Sequence, residues 1–388
     1  MLSLTARIMG SCNVKGAVRA MRPRSFVKNN MLVIAACAFA LALVVAAVLW
    51  VAMPWQPRAA EVDVGVRQGL GDYSWDELSA ISVKIGACET EDDAVRIAAR
   101  YGLCSDSGSI DPDNTKTFSL ANGRQIRVRL AGLWHDIRSD GGKAGLTFVF
   151  ADSAGEHAMN HAFENADGDD ADSVGGWQAS DMRAWLNGDF LNELPADLRS
   201  RISSVQKRTA NLVGAQDELD ESGRLAGTAQ DWMSETSDKL WLFSVAELCG
   251  SISVRAELGV DSTMVPVYAA EGAQYRLFAD AGVAPFAPND ALVRFGEDTV
   301  IVDDELGERD GDPDAPVATG SNSVVPAPCA WWLRTKTLEF GNGFWLVGTD
   351  GAPLNGLGED ARVVDPAYAP DAVWGPDHAR GVVVGFCL

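Results

Sequence analysis

Histidine and the short motifs of the common enzyme classes are scarce in this sequence. It has four histidines in 388 residues. It contains no G-x-S-x-G turn, no H-E-x-x-H, no phosphate-binding loop and no G-x-G-x-x-G after a predicted strand. These absences exclude the usual signatures of serine hydrolases, zinc peptidases, P-loop nucleotidases and dinucleotide-dependent oxidoreductases. These absences favour a protein that is not an enzyme but leave that question open, and they predict no cofactor apart from the candidate calcium ion considered below.

Cysteine is also infrequent and has no metal-binding spacing. There are seven cysteines and no C-x-x-C pair, which argues against a zinc site. The cysteines after the first apolar segment are Cys88, Cys104, Cys249, Cys329 and Cys387. This odd number allows one or two disulfides, with Cys88–Cys104 and Cys329–Cys387 as candidate pairs whose formation the sequence leaves open.

Charge is absent from residues 31–53, which also contain no glycine or proline. A helix of this length spans about 35 Å, enough to cross a hydrocarbon core of about 30 Å. Residues 1–30 carry six Lys and Arg and no acidic residue, which places the N-terminus in the cytoplasm. A cleaved signal peptide is the alternative, but its apolar region is usually shorter. We predict a single-pass signal-anchor in the cell membrane, and leave open whether it is ever cleaved.

The remainder of the chain is strongly acidic. Residues 59–388 contain 25 Lys and Arg against 54 Asp and Glu, a net charge of about −29. Such a surface repels nucleic acid and favours solubility and basic partners. We therefore expect an acidic extracellular domain that does not bind nucleic acid, with the lipid bilayer contacted through residues 31–53.

Hydrophobic periodicity divides the chain after the membrane segment. A linker at residues 54–70 precedes a helical hairpin at residues 71–116, in which Ser74 and Glu77 form a capping box. From Thr117 onward the period changes to two, with a few helices interposed, including one capped by Ser244 and Glu247. This pattern predicts an α+β fold: a single N-terminal transmembrane helix, a short helical hairpin, and a mainly antiparallel β domain over residues 117–388 with long loops.

Several motifs occur in order along this domain. They are Gly175-Gly176-Trp177, residues 182–187, 194–198, 238–242 and 271–275, Trp332-Leu333-Arg334, and residues 381–387. The series resembles a domain of unknown function, family 6273, of bacterial surface and secreted proteins, over roughly residues 120–388. Its closing strands are similar to those of C-type-lectin-like and sulfatase-modifying-factor folds. The resemblance implies a bacterial cell-surface location and a possible C-type-lectin-like architecture, and it supplies no activity.

Aromatic and acidic residues provide the candidate binding sites. The ligand-binding candidates are Trp232, Trp331, Trp332, Arg334 and Trp374. Alternation along the strand predicts that one of the rings of Trp331 and Trp332 faces outward. Asp310, Asp312 and Asp314 lie in an acidic loop and are candidate calcium ligands, although solvated loops explain them equally simply. No catalytic residue is predicted.

Three functions remain open at this point. The leading interpretation is a membrane-anchored extracytoplasmic module that binds an extracellular protein or glycan. The alternatives are a cell-envelope hydrolase that uses Asp and Glu and a structural or sensory membrane anchor.

Overall fold

The computed structural model describes residues 64–161, 175–212, 225–254, 260, 262–295, 297–302, 323–337, 343–355 and 379–388. The predicted cytoplasmic tail, transmembrane helix and most of the linker lie outside the described residues, as do Trp374, Asp310, Asp312 and Asp314. None of the helices within the described ranges is long and apolar enough to cross a membrane. Val62–Leu388 forms one compact unit.

The helices are mostly short. The α-helices are α1 (Trp75–Gly86), α2 (Glu91–Arg100), α3 (Gly176–Ala179), α4 (Asp181–Trp185), α5 (Leu191–Glu193), α6 (Ala196–Arg199), α7 (Val245–Cys249), α8 (Met264–Ala269), α9 (Arg276–Asp280) and α10 (Asp290–Val293). A π-helical turn covers Leu186–Phe190, and 3-10 turns cover Leu70–Asp72 and Ala229–Trp232.

Strands form two five-stranded sheets and two separate hairpins. The strands are β1 (Thr115–Ser119), β2 (Gln125–Leu133), β3 (Leu146–Phe150), β4 (Glu156–His157), β5 (Val205–Ala210), β6 (Met233–Asp238), β7 (Leu240–Leu242), β8 (Glu297–Val302), β9 (Ser323–Pro328), β10 (Trp331–Lys336), β11 (Phe344–Val347), β12 (Pro353–Leu354), β13 (Arg380–Gly381) and β14 (Val384–Cys387). The first sheet has the order β1-β2-β3-β14-β7 and is antiparallel throughout. The second has the order β12-β11-β10-β13-β4, in which only the β10–β13 pair is parallel. The described residues thus have the predicted α+β character.

Helix α1 packs directly on the first sheet. The ring of Trp75 makes edge contacts with Phe118, Phe148 and Phe386 at centroid distances of 6.2, 5.9 and 6.2 Å. Ser82 accepts a hydrogen bond from Leu146 N at 3.0 Å and donates to the carbonyl oxygen of Leu388. Helix α1 therefore shares one core with the strands.

Gly145 permits this close approach, because a Cβ atom at this position would lie 2.0 Å from the carbonyl oxygen of Ser82. We expect Gly145→Ala to lower the free energy of unfolding by about 1 to 3 kcal/mol, because the backbones of Gly145 and Ser82 must move apart. Chemical denaturation of the purified protein measures the change.

Gly188→Ala is the matched control for this prediction. Gly188 lies in the π-helical turn, and its added Cβ would have no neighbour within 4 Å. This substitution should leave stability unchanged or raise it slightly. Equal unfolding curves for the two variants would show that the contact between Gly145 and Ser82 does not limit the packing of α1.

Most of the elements predicted from periodicity occur in the structure. The capping boxes of Ser74 with Glu77 and of Ser244 with Glu247 are both present. The hairpin of β5 and β6 does not follow from the periodicity. Helix α10 and the hairpin of β8 and β9 lie in the Pro- and Asp-rich part of the domain, where long loops are expected.

The cysteines of the described chain are not joined in the two pairs considered above. Cys88 and Cys104 are separate thiols. The thiol of Cys387 is buried 3.2 Å from Thr147 Oγ1 and 3.4 Å from Asp136 Oδ2. The core therefore forms around a reduced Cys387.

Candidate functional site

Asp136, Lys207, Glu247 and Arg334 form a buried charge network. Lys207 Nζ lies 2.5 Å from Asp136 Oδ1 and 3.0 Å from Glu247 Oε1. The other oxygen of Glu247 accepts from Arg334 Nη1 at 2.5 Å. Each carboxylate faces a cation, so two positive and two negative charges balance inside the protein. Such pairing is the condition under which buried charges are tolerated.

Four separate elements supply the network. Asp136 follows β2, Lys207 is on β5, Glu247 is on α7 and Arg334 is on β10. The α7 capping box fixes Glu247, because its Oε2 also accepts from Ser244 N at 3.1 Å. The sequence separation of these residues explains why no local pattern reveals the network.

Further backbone and hydroxyl contacts hold the guanidinium of Arg334. Its Nη1 donates to Leu242 O at 2.8 Å, and its Nε donates to Thr209 Oγ1 at 3.0 Å. Its Nη2 donates to Arg208 O at 3.2 Å. Arg334 therefore ties β10 to β5 and β7.

Both network carboxylates are ionised. Burial acts to raise the pKa of Asp136, but the ammonium of Lys207 and the nearby His135 hold it well below its usual range. Burial likewise opposes ionisation of Glu247, yet Arg334 and Lys207 lower its pKa. These carboxylates consequently act as fixed negative charges.

Tyr275 and Cys387 border the network as protonated groups. Tyr275 OH accepts from Lys207 Nζ at 2.8 Å and donates to Asp136 Oδ1 at 2.8 Å. Burial and the charge of Asp136 raise the pKa of Tyr275 well above its usual value. The same two causes raise the pKa of Cys387. A thiol held in this state is a poor nucleophile.

Glu271 is the titratable carboxyl of this region. Burial raises its pKa to about 7, although Arg334 and two hydrogen bonds oppose the change. Its Oε1 accepts from Ala210 N at 3.0 Å and its Oε2 accepts from Thr335 Oγ1 at 2.7 Å. Glu271 can therefore exchange a proton near neutral pH.

A cavity of about 380 Å³, called the central cavity below, adjoins these groups. Its lining residues include Trp134, His135, Asp136, Lys143, Gln206, Lys207, Arg208, Glu247, Glu271 and Gly272. The volume falls within the range of small-molecule sites. Lys143 lies over the ring of Trp134, with its Nζ 5.0 Å from the ring centroid, and donates to His135 O at 3.0 Å.

Three nitrogens of the lining residues have no hydrogen-bond partner among the described residues. They are Trp134 Nε1, His135 Nδ1 and Arg208 Nε. His135 Nε2 lies 3.1 Å from Ala273 O and must donate to it, while Nδ1 lies 3.7 Å from Asp136 Oδ1. The cavity wall thus contains nitrogens whose hydrogen bonds are not made within the described structure.

Trp134 has an unusual backbone. Its φ of 53° lies in the left-handed region, which bulky residues rarely adopt. Strain of this kind concentrates at functional sites. It supports the central cavity as the candidate site.

A larger groove of about 660 Å³ runs along α2, beside Arg96, Asp106 and Arg276. Arg276 pairs there with Glu91 at 3.7 Å, with both side chains exposed to solvent. This groove has the character of an ordinary charged surface, because exposed pairs of this kind are screened by water.

The structure places the sequence-predicted aromatic residues differently from expectation. Trp331 is 1% exposed and Trp332 is 0% exposed, so the predicted outward-facing ring is wrong. Strand β10 is covered by neighbouring elements: helix α3 packs against it, and so do strands β5 and β7. Arg334 is 0% exposed and belongs to the charge network, so it borders the candidate site through Glu247.

Trp232 is partly buried at the end of a 3-10 turn and donates to Ala226 O at 2.7 Å. The central cavity does not include it. The ligand-binding role of Trp232 stays a prediction, as does that of Trp374, which lies outside the described residues. The calcium candidates also lie outside them, and the described ranges contain no group of three His, Cys, Asp or Glu arranged to hold a metal ion.

Sequence reasoning missed the residues of the central cavity. One usable signal was the tract Trp134-His135-Asp136 directly after a hydrophobic strand. Lys207 gave no such signal, because its strand β5 has no apolar alternation in sequence.

Fold and site together define an α+β domain in which a ligand-sized cavity, lined by charged and aromatic residues, adjoins a neutral buried charge network. A family model described as a domain of unknown function (DUF6273) matches residues 156–367. The chain belongs to this family. The match is shorter than the resemblance inferred from motifs, and it contains Lys207, Glu247, Glu271 and Arg334 but not Trp134 or Asp136. No curated protein and no solved structure matches the chain.

Proposed function

We propose that this chain is a membrane-anchored extracytoplasmic module that binds a hydroxyl-rich ligand, a glycan unit, in the central cavity. The observation that carries the proposal is the set of unpartnered nitrogens of Trp134, His135 and Arg208 in the wall of one cavity. Trp134 and Arg208 are partly buried, and both line the cavity.

The lining of the cavity favours a hydroxyl-bearing ligand over a simple anion. A carboxylate or phosphate could accept from Trp134 and Arg208, but the carboxylates of Glu91 and Asp136 also line the cavity and would repel it. A sugar hydroxyl both donates and accepts. The ring of Trp134 adds an apolar surface of the kind that sugar-binding sites use.

The neutral network is suited to binding without reaction. Asp136 and Glu247 are each held by cations, so neither offers a free carboxylate to the ligand. Lys143 and Arg208 line the cavity together with Glu91, and Arg208 also pairs with Glu235 at 3.7 Å. A lining with charges of both signs suits hydroxyl groups, which donate as well as accept.

The location of the module is part of the proposal. It is supported by the uncharged segment at residues 31–53 and by the basic residues before it. A C-type-lectin-like or sulfatase-modifying-factor architecture, which the closing strands resemble, would suit the role, because such folds present binding surfaces on irregular loops.

A second candidate function is a hydrolase, and Glu271 is the observation that favours it. A cavity-lining carboxyl with a pKa of about 7 can act as a general acid or base at neutral pH. Both of its oxygens, however, already accept hydrogen bonds from the protein. Product analysis on every ligand that binds distinguishes the two functions, since an enzyme releases product and a binding module does not.

Trp134→Phe tests the binding site directly. The variant keeps an aromatic ring but loses the indole N–H, so we expect glycan affinity to fall roughly 5- to 10-fold, the worth of one hydrogen bond. The measurement is a glycan and envelope-polymer array with the purified protein, followed by titration calorimetry on the strongest hit.

Trp185→Phe is the matched control, because the ring of Trp185 stacks on His157 with centroids 4.4 Å apart and lies outside the cavity. Its glycan affinity should equal that of the unmodified protein. If both variants bind equally well, or if no glycan on the array is retained, the central cavity is not a glycan site.

A further inference from the structure

Arg129 is a buried arginine that forms no ion pair with the side chains that the structure describes. It lies on β2, is 6% exposed, and its Nε has no hydrogen-bond partner among the described residues. The ring of Phe295 lies against it, with its centroid 4.8 Å from the guanidinium carbon. Arg334, another deeply buried arginine, instead pairs with Glu247.

The charged groups described around Arg129 do not neutralise it. Burial is the main cause that lowers its pKa and Arg127 is the next; Asp113 and Asp152 oppose them more weakly, and Arg294 adds a smaller lowering effect. A guanidinium nevertheless stays charged in proteins. An uncompensated buried cation is costly for the fold, so its retention calls for a role beyond packing.

A second cavity, of about 230 Å³, lies against Arg129. Its walls are mainly apolar and come from β2, α9, α10 and the loop before β1, including Ile110, Leu277, Phe278, Ala291 and Phe295. Asp280 also lines it, but this residue is exposed and accepts from Ile110 N at 3.3 Å. The cavity is separate from the central cavity, because the two share no lining residue.

Size and chemistry together define what this cavity can hold. A dry protein cavity of about 150 Å³ accommodates benzene, and the Arg129 cavity, at about 230 Å³, has room for such a ring with a carboxylate attached. Guanidinium groups bind carboxylates through two parallel hydrogen bonds. The apolar walls would surround the remainder of the ligand.

We propose that the Arg129 cavity binds a small aromatic or branched aliphatic monocarboxylate, with its carboxylate on the Arg129 guanidinium. The ligand supplies the missing negative charge and fills the apolar space with its hydrocarbon part. This site is independent of the glycan site.

Benzoate is the probe that tests the proposal on the whole 388-residue chain. Titration calorimetry should detect saturable binding, and benzoate should raise the melting temperature with increasing concentration. Arg129→Met should weaken binding roughly 10- to 100-fold, the worth of a charge-assisted hydrogen bond. Benzyl alcohol, which has the same ring but no charge, should bind more weakly than benzoate.

Two further variants keep the test decisive. Arg127→Met alters an exposed arginine on the same strand and should leave benzoate affinity unchanged. Ala291→Leu fills the cavity and should abolish binding even if Arg129→Met fails to fold. If benzoate does not bind, or binds Arg129→Met or Ala291→Leu as tightly as the unmodified chain, the proposal is overturned.

Discussion

Replacement of Arg334 by methionine is expected to destabilise the protein by about 3 to 5 kcal/mol. The substitution keeps the approximate length of the side chain and removes its charge. Glu247 would then remain buried with Lys207 as its only cation, and Lys207 is shared with Asp136. Chemical denaturation at pH 7 measures the loss.

A double substitution separates the charge effect from a simple loss of packing. The double variant combines Arg334→Met with Glu247→Gln, which removes the charge that Arg334 compensates. Its loss of stability should be clearly smaller than the sum of the losses caused by the two single substitutions. Additive losses would mean that Arg334 stabilises the fold through its contacts with Thr209 and Leu242 alone.

Arg96→Met is the control for loss of an arginine from an ion pair. Arg96 pairs with Asp93 on α2, and its side chain is 74% exposed. Water and salt screen such a pair, so stability should change little. An effect as large as that of Arg334→Met would contradict the assignment of the cost to burial.

The sequence predicted structure well wherever local chemistry decides it. Ser244 and Glu247 form a capping box because the serine and glutamate lie three residues apart before an apolar turn. The same pattern at Ser74 correctly marked the start of α1. In both cases the signal and its structural consequence lie within one helical turn.

The second role of Glu247 could not be predicted in this way. Its partners Lys207 and Arg334 are 40 and 87 residues away in sequence, and β5 lacks the apolar alternation that announces a strand. Polar strands such as β5 and β6 form because their neighbours bury them, so tertiary context overrides the local pattern.

Trp331 and Trp332 illustrate the same limit. Alternation along a strand places successive side chains on opposite faces, and this part of the inference is sound. It indicates solvent exposure only if one face of the sheet is open. Both faces of β10 are covered, and both rings are buried.

Glu271 should give the protein a pH-dependent stability between about pH 5 and 8. Its pKa of about 7 in the folded state exceeds the ordinary value of about 4.3 in the unfolded chain. The unfolded state therefore releases this proton first as the pH rises. The stabilising contribution is fully present below about pH 4.3 and is lost as the pH passes through about 7.

Glu271→Gln removes this titration while preserving an oxygen that can accept from Ala210 N. Compared with the unmodified protein, the variant should be similar in stability at pH 5 and more stable at pH 8.5, by up to about 3 kcal/mol. Unfolding curves at several pH values between 5 and 8.5 give the free energy of unfolding of both proteins. The contributions of the other titrating groups cancel in the difference between the two free energies. If the two free energies change with pH in parallel, Glu271 is already ionised at pH 5, and the hydrogen bonds from Ala210 and Thr335 outweigh the effect of burial.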